Sequence, residues 1–174
     1  AGSGGSGVAS ATRYFQTSYA PRDWRGTIKA YGFTASGTVD TSSVLWSTDT
    51  AIVPGATGPA YQSWNSQTHS AVTLAFANLS AAQQGVLSQG LPGGITGSDL
   101  LEWSKGANKA GLKVRSVLLG DIVNSPLVLA APSDKTAADW SGDTSYSTYL
   151  ATKAANMHAS LVVNANDGFV SVIN

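Results

Sequence analysis

The feature that most constrains this chain is a pair of short apolar runs separated by a turn. Leu161-Val162-Val163-Asn164 and Phe169-Val170-Ser171-Val172-Ile173-Asn174 flank Asn166-Asp167-Gly168. Asn, Asp and Gly tolerate the positive φ that a tight hairpin turn requires, so the segment predicts two antiparallel strands. Leu118-Leu119-Gly120-Asp121-Ile122-Val123-Asn124-Ser125-Pro126-Leu127-Val128-Leu129-Ala130-Ala131-Pro132 reads the same way, as strand bounded by tight turns. Together they predict a sheet that repeats. Its last strand, Phe169–Asn174, is expected to offer an edge that the remainder of the sheet or another chain completes.

The upstream half supports a mainly β chain with short helical insertions. Tyr14–Tyr19 and Gly26–Phe33 alternate loosely around Pro21-Arg22-Asp23-Trp24-Arg25-Gly26, which is turn chemistry and predicts a hairpin. Val44–Thr48 follows a polar turn at Ser36–Ser43 and extends the hairpin to a three-stranded antiparallel meander. Residues 51–67, punctuated by Pro54, Gly55, Gly58 and Pro59, read as a loop, and 71–76 as a short strand. Ser80 with Gln83 three residues on forms a capping box and predicts a helix from Ala81 to Ser88. Ser98 and Asp99 introduce a second helix over Leu100–Lys105, and Tyr146, Tyr149, Leu150 and Lys153 share the face of a third over 146–155. Strict alternation of strand and helix is not visible. Residues 1–12 have the composition of a flexible Gly/Ser linker, leaving one domain over 13–174. Gly2-Ser3-Gly4-Gly5-Ser6-Gly7 matches a dinucleotide-binding fingerprint in form only, since no strand precedes it.

Charge and composition exclude several function classes. Ten basic and ten acidic residues in 174 give no field to attract nucleic acid. The absence of cysteine removes disulfides and thiolate chemistry. No catalytic residue is expected: no nucleophile elbow, phosphate loop or zinc-protease motif occurs. His69 and His158 lie in separate segments and read as turn or surface residues. Gly120-Asp121 is the best candidate for a polar site, with Asp121 expected to accept backbone amides in an Asx-type turn. Asn164–Gly168 has some of the residue types of a calcium loop, but Gly168 falls at the fifth position instead of the sixth, so the turn reading is preferred and no metal ligand is assigned. Trp24, Trp64, Trp103 and Trp140 sit in loop or helix-start contexts where an indole could stack on a sugar or anchor a protein partner. Trp46 reads as a core residue.

Thr17-Ser18-Tyr19, Asp23-Trp24-Arg25-Gly26-Thr27-Ile28-Lys29-Ala30-Tyr31, Leu45-Trp46, Leu79-Ser80-Ala81-Ala82-Gln83-Gln84, Leu119-Gly120-Asp121-Ile122-Val123-Asn124-Ser125-Pro126 and Asn164-Ala165-Asn166-Asp167-Gly168 follow one another in a specific order. In that order they resemble the start of the C-terminal propeller of PilC/PilY-type pilus proteins, the tip-associated adhesins and biogenesis factors of type IV pili. Where that family often carries an Arg-Gly-Asp-Arg-like run, this chain has Trp103-Ser104-Lys105-Gly106-Ala107-Asn108-Lys109. The resemblance implies a modified, quinoprotein-like β-propeller. At roughly 40–45 residues per blade the chain supplies about two blades, so the ring is expected to be incomplete. It also implies a non-enzymatic role at the bacterial surface, at the pilus tip and in association with the outer membrane. That role comprises pilus biogenesis, adhesion and twitching, through minor pilins and host or abiotic surfaces. The family's calcium site is expected downstream of Asn174, so no cofactor is assigned to these residues. Gly120, Asp121, Asn124, Pro126, Asn166, Asp167 and Gly168 are expected to be turn-forming. Two alternatives remain, a quinoprotein-dehydrogenase-like propeller enzyme and a lectin-like glycan-binding module.

Overall fold

The computed structural model describes residues 6–55, 59–135 and 144–174. It is mainly antiparallel β with a few short helices, and among the described residues no sheet closes into a barrel. The sequence predicted one domain over 13–174, whereas the chain gathers into two compact units: the chain up to Ser47 together with Gly120–Asn174, and Thr48–Leu119.

The first unit opens with a four-stranded meander, β1 (Gly7–Ala9), β2 (Tyr14–Ala20), β3 (Arg25–Phe33) and β4 (Val39–Ser47), each strand antiparallel to the next. β3 is the central strand and is buried along most of its length, with Ile28 and Ala30 fully enclosed. Burying a side chain such as Ile28 contributes about 1.5–3 kcal/mol. β1 corrects the expectation of a linker through residue 12. Ser6 accepts the amide and hydroxyl of Thr17 on its carbonyl, at 3.0 and 3.1 Å, and the amide of Leu127 on its own hydroxyl at 2.7 Å. Gly7 lies so close under Tyr14 that a Cβ there would sit 2.0 Å from the phenol oxygen. A side chain at this position would displace the Tyr14 ring, so glycine here lets the ring lie against β1 and is not a sign of slack chain. β4 begins earlier than predicted, because the turn is confined to Thr34–Thr38, where Gly37 has φ 81°. The polar run Asp40–Ser43 is strand after all; it lies on an exposed edge with an irregular register against β3.

Gly120 returns to this sheet at a telling position. Arg25 of β3 pairs with Ala20 of β2 on one side and forms an isolated antiparallel bridge to Gly120 on the other. That other side is β4's, whose last pair is Lys29 with Ser47. Gly120 thus resumes the row that β4 leaves, four residues or about 13 Å further along β3. The second unit is spliced into the middle of one strand row. Residues 118–124, predicted as strand, are otherwise irregular, buried over 118–122 and exposed at Val123 and Asn124: Ile122 is 2% exposed although it makes no ladder.

The chain then forms β7 (Val128–Ala130), and after α4 (Thr144–Asn156) the hairpin β8 (Ser160–Asn164) and β9 (Val170–Ile173), giving a second antiparallel meander. Leu161 and Val163, two apart on β8, turn to the same side and are buried.

The inserted unit contains α1 (Thr48–Ala51), a hairpin of β5 (Gln62–Asn65) and β6 (Ser70–Thr73), a 3₁₀ turn at Phe76–Asn78, α2 (Ala81–Leu87) and α3 (Gly97–Ser104). β5 falls where a loop was predicted, and β6 is shorter than its prediction. The Ser80–Gln83 capping box is present, with Gln83 N donating to Ser80 Oγ at 3.3 Å and Ser80 N to Gln83 Oε1 at 3.0 Å. α3 starts three residues before its predicted start because Thr96, not Ser98 or Asp99, is its cap. Asp99 N donates to Thr96 Oγ1 at 3.1 Å and the Thr96 hydroxyl to Asp99 Oδ2 at 2.7 Å. Lys109 stands 3.0 Å from the other carboxylate oxygen. These contacts, the Thr96 hydroxyl first and then Lys109, lower the Asp99 carboxyl to about 2.

Two outcomes follow from this arrangement. Replacing Thr48–Leu119 by three small residues bridges the gap along β3, and hydrogen exchange at Thr17, Ile28 and Val163 is expected to stay protected; loss of protection at all three would refute the splice. Because the Asp99 carboxyl is lowered, its support of α3 is full above about pH 4 and is lost as pH falls toward 2. A carboxyl NMR titration is expected to show that low midpoint, and Thr96→Ala to return it toward the ordinary value of about 3.9.

Candidate functional site

The segment Gly120–Ile122 and the β8–β9 turn, predicted separately from sequence, meet. Gly120 N donates to Asp167 Oδ2 at 2.9 Å, Asn166 N to the Asp121 carbonyl at 3.0 Å, and Asn166 Nδ2 to Asp121 Oδ2 at 2.9 Å. Phe169 N donates to Asp167 Oδ1 at 3.0 Å, so the Asx turn belongs to Asp167, while Asp121 serves a partner 45 residues away. Gly168, at φ 85°, closes the turn. Asp121 is 8% exposed, and these bonds supply the partners that a buried irregular segment must find. Gly26 completes the joint from the opposite side. A Cβ there would stand 2.2 Å from the Gly120 carbonyl oxygen and 2.9 Å from Ile122 Cγ1, and one on Gly120 would stand 2.7 Å from the Asp167 carboxyl carbon. Two glycines and two carboxylates hold three chain segments together here. Asn124 and Pro126 are exposed and take no part. Both Asp167 carboxylate oxygens and Oδ2 of Asp121 are engaged by amides, and among the described residues no three His, Asp or Glu side chains converge as a metal ion would need.

β9 is the outer strand of its sheet, hydrogen-bonded among the named strands only to β8. Val170 and Val172 are 60% and 65% exposed along it. An edge carrying β-branched residues and no charge is open to strand addition.

The tryptophans do not form one surface. Trp24 stands at the tip of the β2–β3 turn, highly exposed, with φ 53°, a left-handed conformation that bulky residues rarely adopt. Trp103, on α3, is committed internally. Its indole N–H donates to the Lys113 carbonyl at 2.7 Å, and the Arg115 guanidinium lies 4.5 Å over its ring while hydrogen-bonding the carbonyls of Trp103 and Ser104. This clamp closes the 105–115 segment onto α3, and no spacing rule in the sequence signals Arg115 as its partner. Trp64, on β5, is 52% exposed and carries no such clamp. Trp140 lies outside the described residues.

A cavity of about 200 Å³ beside α3 is lined by Tyr61, Glu102, Lys105 and Leu118 among others. Its polar groups are already engaged: Tyr61 Oη donates to the Lys105 carbonyl at 3.1 Å, and Lys105 Nζ donates to the Leu74 carbonyl at 3.0 Å and pairs with Glu102 at 2.8 Å. The cavity offers packing space and no uncommitted cation.

Comparison of the chain with family models, curated proteins and solved structures returned no match.

Gly26→Ala is expected to destabilise the first unit by about 1–3 kcal/mol in chemical unfolding, through overpacking against Gly120 and Ile122. Asp167→Ala is expected to cost a similar amount by leaving the Gly120 and Phe169 amides without acceptors. Unfolding midpoints unchanged in both variants would show that the joint does not hold the unit.

Proposed function

We propose that this chain belongs to a non-enzymatic type IV pilus tip adhesin and assembly factor of the PilC/PilY type, and that its two meanders of the first unit are blades of a β-propeller. The observation that carries this reading is topological. β1 to β4 run in sequential antiparallel order, as a propeller blade does, and β7 to β9 begin a second such meander. The family-like residues Leu119–Pro126 and Asn164–Gly168 support it further, because Gly120–Asp121 of the first segment and Asn166–Asp167 of the second are bonded to each other. In this reading the protein works by binding, at the bacterial cell surface. β9 is the edge against which the rest of the propeller or another chain adds a strand, and minor pilins or external surfaces are the further partners.

The test is genetic and biochemical. Deleting the gene in the source bacterium is expected to abolish twitching and surface pili, with recovery when the gene is returned. Val172→Lys places a charge on the open edge and is expected to reduce co-purification of minor pilins with the returned protein while the purified chain keeps its circular dichroism. Normal piliation and motility in the deletion strain would overturn the proposal.

A further inference from the structure

From Ala51 to Ser98 the sequence holds no Asp, Glu, Lys or Arg, although ten basic and ten acidic residues are spread over the rest of the chain. The run covers β5, β6, α2 and the turns between them, and much of it faces solvent. Surface of that kind ordinarily takes a substantial share of charge. Here the water-facing polar groups are amides, hydroxyls and the imidazole of His69 in the β5–β6 turn instead.

At the centre of the run is Trp64. Its antiparallel partner on β6 is Ala71, and the neighbouring pair is Gln62 with Thr73. The period of two and the pairing put these four side chains on one face of the ribbon, and all four are exposed. Alanine opposite the indole is too small to cover the ring. Among the described residues the indole N–H, the Gln62 amide and the Thr73 hydroxyl make no hydrogen bond, in contrast to Trp103, whose N–H and ring face are both occupied.

The ribbon is also fixed in place. Gln83 Nε2 donates to the Trp64 carbonyl at 2.9 Å, and Gln83 Oε1 accepts from Ser66 N at 3.2 Å while it completes the cap of α2. Asn65 accepts the amides of Gln67 and Thr68 at 2.9 and 3.0 Å and donates to the Asn78 carbonyl at 2.9 Å. Holding the backbone of an anchor residue in advance removes part of the ordering cost of binding.

We infer that the β5–β6 face is a binding site for a neutral oligosaccharide, in which the apolar face of one pyranose ring stacks on Trp64 and its hydroxyls meet Gln62, Thr73 and the indole N–H. The chemistry selects this ligand class. An open aromatic ring provides stacking, uncommitted amide and hydroxyl groups provide hydrogen bonds, and a run without Asp, Glu, Lys or Arg supplies no charged partner of its own to an acidic or basic polymer. The site rests on residues 62–83 alone and stands whether or not the chain belongs to a pilus.

The test uses the full chain with ¹⁵N-labelled indoles, titrated with cellohexaose, chitohexaose and maltohexaose, with a heparin hexasaccharide as the anionic counterpart. At least one neutral sugar is expected to shift the Trp64 indole signal saturably, with a Kd on the order of 0.1–1 mM for a single stacked ring. Trp64→Ala is expected to weaken that binding about tenfold or more, and Trp64→Phe only about threefold, because the stacking ring remains. Ala71→Leu covers the ring from the opposite strand without touching Trp64 and is expected to weaken binding as Trp64→Ala does. The inference is overturned if no neutral sugar moves the Trp64 signal, if binding survives both Trp64→Ala and Ala71→Leu, or if heparin alone produces the shift.

Discussion

The contact on which the first unit depends is the approach of the Gly120 carbonyl to Gly26 on the central strand β3. No side chain fits between them, since a single added carbon would lie 2.2 Å from the oxygen. Because the approach is so close, Gly120 can take its place in the row begun by β4, and Asp167 can reach the Gly120 amide at 2.9 Å. Two stretches of chain far apart in sequence are thereby tied to one strand, and the buried Ile122 is carried in with them.

What the sequence disclosed and what it concealed divide according to range. The Ser80–Gln83 cap and the Asn166-Asp167-Gly168 turn are decided by residues within a few positions of each other, and both were legible. β1 was not, because Gly7 is read as linker unless one knows that the Tyr14 ring lies against it. Asp40–Ser43 was hidden by its polarity, which an edge strand tolerates on its open side. The run at Leu118–Asn124 has strand composition yet forms a single bridge, and its Gly120 amide and Asp121 carbonyl are satisfied by a turn more than forty residues away. Composition also could not sort the tryptophans. Trp64 and Trp103 are both followed by small polar residues, and only the fold shows that Arg115 and Lys113 close over one of them while Ala71 leaves the other open.

The two units divide the chemistry between them. The first engages the polar groups of its buried joint with one another and presents strand edges at β4 and β9. The second has almost no charge over most of its length and presents side-chain amides, hydroxyls and an indole. Backbone edges suit assembly with a fitted partner, and a neutral side-chain platform suits small polyhydroxylated groups.

The placement of the second unit within a strand row also orders events during synthesis. β1 to β4 leave the ribosome first, with the gap beside Gly26 still empty. The whole of Thr48–Leu119 must be made before Gly120 can fill it. Translation at roughly 5–20 residues per second sets a delay of several seconds, ample for the local hairpin and helices of the inserted unit to form. The inserted unit, second in sequence, is thus free to mature before its host, and the nascent meander spends that interval with one row unfinished. Until residue 120 has been made, the side of β3 at Arg25 and Gly26 has no chain to cover it.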